Sequence, residues 1–263
     1  MQFTKMEGLG NDYLYHFGEL RDPAALSVKL SDRHFGIGSD GIIIISPSAV
    51  ADFKMRIFNA DGSEAKMCGN GIRCVGKYVY DKGYTEKTDL SVETLSGIRT
   101  LRLTVAQGKA VAATVDMGTV TVEEAEIFEV SGQHVSALPV SVGNPHAVIF
   151  VSDVSAAPVD TVGPALEHHA FFPEGVNVEF VEVTGPTSLR MRVWERGSGI
   201  TMACGTGACA SAAAAVKAGH CPFDTDIAVI LDGGVLNIRI LPDGTAWMTG
   251  PARKVCECEV EDE

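Results

Sequence analysis

The sequence predicts an α+β protein of two related halves, each a strongly curved, mostly antiparallel sheet wrapped around a central helix. Three observations predict it. The first is a repeat. Met55-Arg-Ile-Phe58 returns as Met191-Arg-Val-Trp194, Cys68-Gly-Asn-Gly71 as Cys204-Gly-Thr-Gly207, and Gly83 as Gly219, each 136 residues further on. Leu30 and Leu166, and Phe35 and Phe171, keep the same offset, while Gly10-Asn11 and Gly143-Asn144 are 133 apart. The second is a series of short runs rich in β-branched and aromatic residues. The third is Ala208–Ala218, a helical stretch with almost no polar side. A helix that is apolar all round is buried, and its small side chains let strands approach from several directions.

The elements follow in order. In the first half, strands are expected at Gln2–Lys5, Tyr13–Phe17, Ile42–Ile45 and Phe53–Phe58. An early helix starts at Asp22-Pro23, a capping carboxylate followed by proline at the first helical position. The second half repeats the plan, with strands at His134–Val140, Ala147–Val151, Val178–Val183 and Leu189–Trp194 and a helix over Val162–His169. A second helix follows each Cys-Gly-x-Gly, over residues 70–82 and 206–218, stopped by Gly83 and Gly219. Three further strands follow each, among them Ile98–Val105 and Val235–Leu241. The halves are residues 1–116 and 117–250, and residues 251–263 are expected to return to the first half as a strand.

Composition narrows the function. The 263 residues carry 21 Lys and Arg against 34 Asp and Glu, a net charge of −13. Phosphate-backbone binding needs clustered cations, so nucleic acid is excluded as a partner. The acidic clusters at residues 123–129 and 257–263 read as solubility. The start, Met1-Gln-Phe-Thr-Lys-Met-Glu, has no apolar export core. No aliphatic run approaches the roughly 18 residues of a membrane span. A cytoplasmic location without membrane contact is expected, where thiols stay reduced.

The seven cysteines then need another reason. No C-x-x-C pair exists, so no zinc ribbon or thioredoxin-type site is expected. Cys74, Cys209, Cys221, Cys256 and Cys258 read as small buried or incidental residues. Cys68 and Cys204 differ, because each stands before a glycine-rich helix start. Unpaired N–H groups and a partial positive charge gather there. Such a place binds anions and favours thiolate. Duplication suggests two thiols bracketing one molecule across a cleft between the halves. One would take a proton from one face while the other delivers a proton to the opposite face, inverting a stereocentre. The rival motif, Gly205-x-Gly207-x-x-Ala210, lacks the strand and acidic residue of a dinucleotide site.

At these residues the sequence resembles the diaminopimelate epimerase family. The run from Asn59 to Arg73 around Cys68 carries the resemblance, with Glu195-Arg196-Gly and Ala203-Cys204-Gly-Thr-Gly in the second half. Gly8-Leu-Gly-Asn11-Asp, Gly143-Asn144-Pro-His146 and Val176-Asn177 extend it. The resemblance implies interconversion of LL- and meso-diaminopimelate on the lysine and peptidoglycan-precursor route, without pyridoxal phosphate, other cofactor or metal. Cys68 and Cys204 would be acid and base, and His146 and Glu195 would adjust their protonation. Asn11, Asn59, Asn144, Asn177, Glu195 and Arg196 match substrate-contacting positions. The reacting carboxylate would lie on the backbone of Gly69, Asn70, Gly205 and Thr206, and Arg196 suits the far carboxylate. A homodimer is what the family suggests. Family members often carry Gln where Gly41 stands, so that contact is missing here. Proline racemases and hydroxyproline epimerases share the fold and the cysteine pair but usually show His at the position of Asn70. A binding protein of the same fold would be expected to have lost one thiol.

Overall fold

A computed structural model describes residues 1–130 and 132–261. The chain forms two compact units. Unit 1 is Met1–Val115 together with the chain from Gly250 onward, and unit 2 is Asp116–Thr249.

Unit 1 opens on a hairpin of β1 (Gln2–Gly8) and β2 (Asn11–Phe17). Its two turn residues, Leu9 and Gly10, both have positive φ, the primed geometry that matches strand twist. Then come α1 (Pro23–Ser31), β3 (Gly41–Pro47), β4 (Phe53–Asn59), the short β5 (Glu64–Ala65), α2 (Gly69–Asp81), β6 (Asp89–Thr94), β7 (Gly97–Ala106) and β8 (Lys109–Thr119). β2 and β3 run parallel, as do β4 and β6; the other neighbouring pairs are antiparallel.

Unit 2 repeats this plan. It starts with β9 (Thr121–Val122) and β10 (Glu126–Val130), then β11 (Gln133–Ser141), β12 (Pro145–Phe150), α3 (Val159–Glu167), β13 (Asn177–Gly185), β14 (Ser188–Glu195) and β15 (Gly199–Ile200). After α4 (Gly205–Lys217) follow β16 (Ile227–Leu231), β17 (Gly234–Ile240) and β18 (Thr245–Pro251). The parallel pairs fall at the equivalent places, β12 with β13 and β14 with β16. An offset of 136 carries Pro23–Ser31 onto Val159–Glu167 and Gly69–Asp81 onto Gly205–Lys217. The last strand, β19 (Arg253–Glu259), pairs antiparallel with β1, so the chain's end completes unit 1.

The central helices are what the sheets close around. α2 packs on β1, β2 and β7, and α4 on β9, β11–β14, β16 and β17. α4 buries every residue from Gly207 to Val216. At Gly76 of α2 a Cβ would stand 2.8 Å from the Leu103 side chain, so the missing side chain lets β7 close on the helix. The outer helices cover the opposite faces. Leu30 of α1 joins a core with Phe3, Leu14, Ile42, Ile44 and Phe58. Val159, Val162 and Leu166 of α3 join one with Val178 and Phe180.

One helix boundary differs from the sequence reading. α3 begins at Val159, three residues before the expected Val162. Pro158 at its N-cap offers no side-chain hydrogen bond and Pro164 interrupts its interior, so the usual start signal is absent.

Candidate active site

Cys68 and Cys204 hold the same position in their units. Each is the N-cap of a 13-residue helix in extended backbone, with φ −139° at Cys68 and −112° at Cys204. Each sulfur accepts the N–H of the residue three further on, Gly71 or Gly207, at 3.3 Å. The sulfur thus replaces the hydroxyl or carboxylate of an ordinary cap. The same fold that builds the helix therefore delivers the thiol to its positive end, next to the N–H groups of the first turn.

The surroundings of the sulfurs differ. In unit 1 the Cys68 thiol donates to Asn11 Oδ1 at 3.3 Å. The orientation of that amide is set from behind, because Asn11 Nδ2 donates to Asp40 Oδ2 at 2.7 Å. Asp40 also accepts the Asp12 N–H and pairs with Arg33. In unit 2 the Thr206 hydroxyl lies 3.5 Å from Cys204 Sγ. Burial pushes the Cys204 thiol pKa well up, and the Glu195 and Glu179 carboxylates add to it; the Thr206 hydroxyl and Gly207 N–H oppose them. Glu195 is itself raised by burial, against the Thr201 hydroxyl that donates to it.

His146 is fully buried on β12. Its Nδ1 lies 2.7 Å from Glu179 Oε1 on the neighbouring β13, and its Nε2 lies 3.1 Å from Asn144 Oδ1. Asn144 Nδ2 in turn donates to Thr206 Oγ1 at 3.4 Å. Sequence reasoning singled out His146, Asn144, Thr206 and Glu195, which come together here around Cys204, but missed Glu179. Glu179 lies in the same β13 run as Asn177, in a strand buried on both faces, where a carboxylate needs a reason.

Other residues are held by local structure. Asn177 spends its amide on backbone, accepting from Arg196 N at 3.0 Å and donating to Pro145 O at 3.1 Å. Arg196 Nη1 donates to Glu174 O at 2.9 Å. Asn59 Nδ2 donates to Ser63 Oγ at 3.0 Å, closing the turn after β4. Asn70 is buried in the first turn of α2, beside Gly69 at the helix start. Gly205 holds the equivalent place in α4. Among the described residues, no group of three or more His, Cys, Asp or Glu could hold a metal ion, and no helix is long and apolar enough to cross a membrane.

The chain is similar to known proteins along nearly its whole length. The family model described as diaminopimelate epimerase matches residues 3–123 and 138–255. A diaminopimelate epimerase of Acetivibrio thermocellus is 51% identical over 278 aligned positions, covering 99% of each chain. One from Methanococcus maripaludis is 47% identical and covers 99% of this chain and 100% of its own. Among solved structures, a Bacillus anthracis phenazine biosynthesis protein of the PhzF family superposes with a TM-score of 0.78 at 16% identity. It covers 100% of this chain and 99% of its own. A hydroxyproline epimerase from Agrobacterium vitis gives 0.74 at 17%, covering 99% and 90%, and shows the same fold. The chain belongs to the diaminopimelate epimerase family.

Proposed function

We propose that the chain interconverts LL- and meso-diaminopimelate by moving a proton at one α-carbon between two thiols. Cys68 and Cys204 are the acid and the base and exchange roles with reaction direction. The observation that carries this is their matching cap geometry, one cysteine at the start of the equivalent helix in each unit.

The chemistry is demanding, because an amino acid's α-proton is far less acidic than a thiol. A thiolate takes that proton, and its electron pair is left on carbon and the adjacent carboxylate. N–H donors of the helix start stabilise the developing charge. The opposite thiol then gives its proton to the other face of carbon, which completes inversion and leaves the ionised sulfur on the other cysteine. Asn11, Asn59, Asn144, Asn177, Glu195 and Arg196 position the substrate, with Gly69, Asn70, Gly205 and Thr206 at the reacting carboxylate. His146 and Glu195 set the protonation of the thiols. No pyridoxal phosphate or metal takes part. The enzyme works in the cytoplasm as a homodimer, on the lysine and peptidoglycan-precursor route.

The test is to incubate the protein with LL-diaminopimelate, and separately with proline, in deuterated water. Deuterium should enter Cα of diaminopimelate and not of proline, measured by mass spectrometry. Cys68→Ala and Cys204→Ala should each lower epimerisation by about 10²–10⁴-fold. Full activity in either variant would end the two-thiol reading, and exchange into proline alone would move the substrate to the racemase class.

A further inference from the structure

We infer that Glu179 is a positioning residue for Cys204, the anchor of a hydrogen-bond chain through His146, Asn144 and Thr206 that delivers a donor to the Cys204 sulfur. The consequence for turnover rests on the proposed role of Cys204 as acid and base; the chain itself does not.

The contacts run in one direction. Glu179 and His146 are both fully buried and meet at 2.7 Å. Glu179 Oε2 is equally buried and has no hydrogen-bond partner among the described residues. A buried carboxylate in that position is tolerated only if its charge is neutralised nearby. The imidazole is the group in contact with it. Both ring nitrogens face oxygen acceptors, so the pair holds one proton between Oε1 and Nδ1 and a second on Nε2. Nε2–H then donates to Asn144 Oδ1 at 3.1 Å, which turns Asn144 Nδ2 toward Thr206 Oγ1 at 3.4 Å. With an oxygen lone pair of Thr206 engaged, its hydroxyl proton remains to donate to Cys204 Sγ at 3.5 Å. Every link has its donor and acceptor assigned by the one before it, and the polarity originates at the carboxylate.

The equivalent position in unit 1 shows the opposite polarity. Asp40 holds Asn11 Nδ2, so Asn11 presents its oxygen to Cys68 and accepts from the thiol. The two amide-linked contacts therefore differ in direction, Asn11 accepting from Cys68 and Thr206 donating to Cys204, while Tyr13 also bonds Cys68 and Glu195 also bonds Cys204.

The titratable groups facing Cys204 are Glu195 from β14 and Glu179 from β13, with His146 from β12 against Glu179. Through space alone, both carboxylates oppose ionisation of the sulfur. The chain therefore predicts a sign that a bare charge effect does not. Glu179→Gln keeps a hydrogen bond to the ring but removes the carboxylate charge that holds a proton on both ring nitrogens, so the Nε2–H donor is no longer enforced. The readout is the pH dependence of iodoacetamide alkylation at Cys204, followed by mass spectrometry of its peptide in the full chain. This readout is independent of whether the enzyme epimerises anything.

Glu179→Gln should raise the alkylation midpoint by about one pH unit. It should also lower kcat about ten-fold at neutral pH with KM little changed, since the ionised fraction falls tenfold per unit. Thr206→Val, which keeps the shape and removes the last donor, should raise the midpoint equally, and Thr206→Ser should restore it. Combining Glu179→Gln with Thr206→Val should add nothing further. A lowered midpoint in Glu179→Gln would show that the carboxylate acts only as a nearby charge and overturn the inference. So would an unchanged midpoint in Thr206→Val, the variant that decides the matter if Glu179→Gln does not fold.

Discussion

Gly41 and Gly207 show how closely packed backbone decides what a site can contain. Gly41 has φ +153°, and a Cβ there would stand 2.1 Å from Phe58 O and 3.0 Å from Asn59 Cα. A glutamine side chain therefore does not fit at this position. Gly41→Gln should destabilise the protein by about 2–3 kcal/mol, the scale of a strained backbone with a displaced neighbour, and should bring no gain in activity. Thermal unfolding together with the KM for diaminopimelate checks it; a lowered KM with unchanged stability would contradict the geometry. Gly207 is constrained by a side chain instead. A Cβ there would meet Glu179 Oε1 at 2.7 Å and Cys204 Sγ at 3.2 Å. The residue scale was partly legible in the sequence. The cysteines, His146 and Glu195 carried motif signals. Glu179 did not, because a carboxylate in an alternating strand reads as solvent-facing until both faces of the strand are known to be covered. Asn59 was read as a substrate contact, whereas its amide is bonded to Ser63 in the turn after β4.

At the scale of elements, the cysteines do two jobs that can be separated. Cys204 is both the thiol and the cap of α4, accepting the Gly207 N–H. Removing a cap costs about 0.5–2 kcal/mol, and serine is a good cap with no useful acid–base chemistry near neutral pH. Cys204→Ala should therefore lose activity and about 1 kcal/mol of stability, whereas Cys204→Ser should lose activity with stability kept. The same contrast is expected at Cys68 in α2. Chemical denaturation of the four variants checks it. Equal unfolding midpoints for alanine and serine would show that the sulfur is not a working cap. Helix starts with caps were readable for this physical reason. Asp22 does accept the Ala25 N–H ahead of Pro23, as its sequence promised. α3 lacks such a cap, and only the 136-residue offset from α1 marks its start at Val159. The two-residue strands β5, β9 and β15 left no periodic signal, since two residues cannot show a period.

At the scale of the molecule, the duplication was legible, and the expected strands fall where alternation put them, but β10 (Glu126–Val130) runs through an acidic stretch that was read only as a solubility feature. The return of the chain's end to the first half was also expected, but not its partner strand or register, and β19 is the case that matters. Its neighbour β1 lies at the opposite end of the sequence, with Phe3 opposite Cys258 and Gln2 opposite Glu259. The ends are tied further, because the Met1 ammonium donates to Val260 O at 2.6 Å and Val260 N–H donates to Met1 O at 2.8 Å. Cys258 and Val260 pack on the core built by Phe3, Leu14, Leu30 and Ile42. Arg73, fully buried in α2, donates from Nε to Pro251 O at 3.1 Å. A chain ending at Thr249 would lose all of this. It would open the ladder edge of β1, uncover Phe3 and Leu14, and strip a buried guanidinium of a partner. A domain's net stability is only about 5–15 kcal/mol, so these losses should unfold unit 1. Unit 2, residues 116–249, keeps its own strands and helices in that truncation. Limited trypsin digestion of residues 1–249 should therefore cut early at Arg56, Arg73 and Lys77 while sites such as Arg190 and Arg192 stay protected. If Arg73 resisted cleavage equally in the truncated and the whole chain, β19 would be an ornament of unit 1 rather than a strand that it needs.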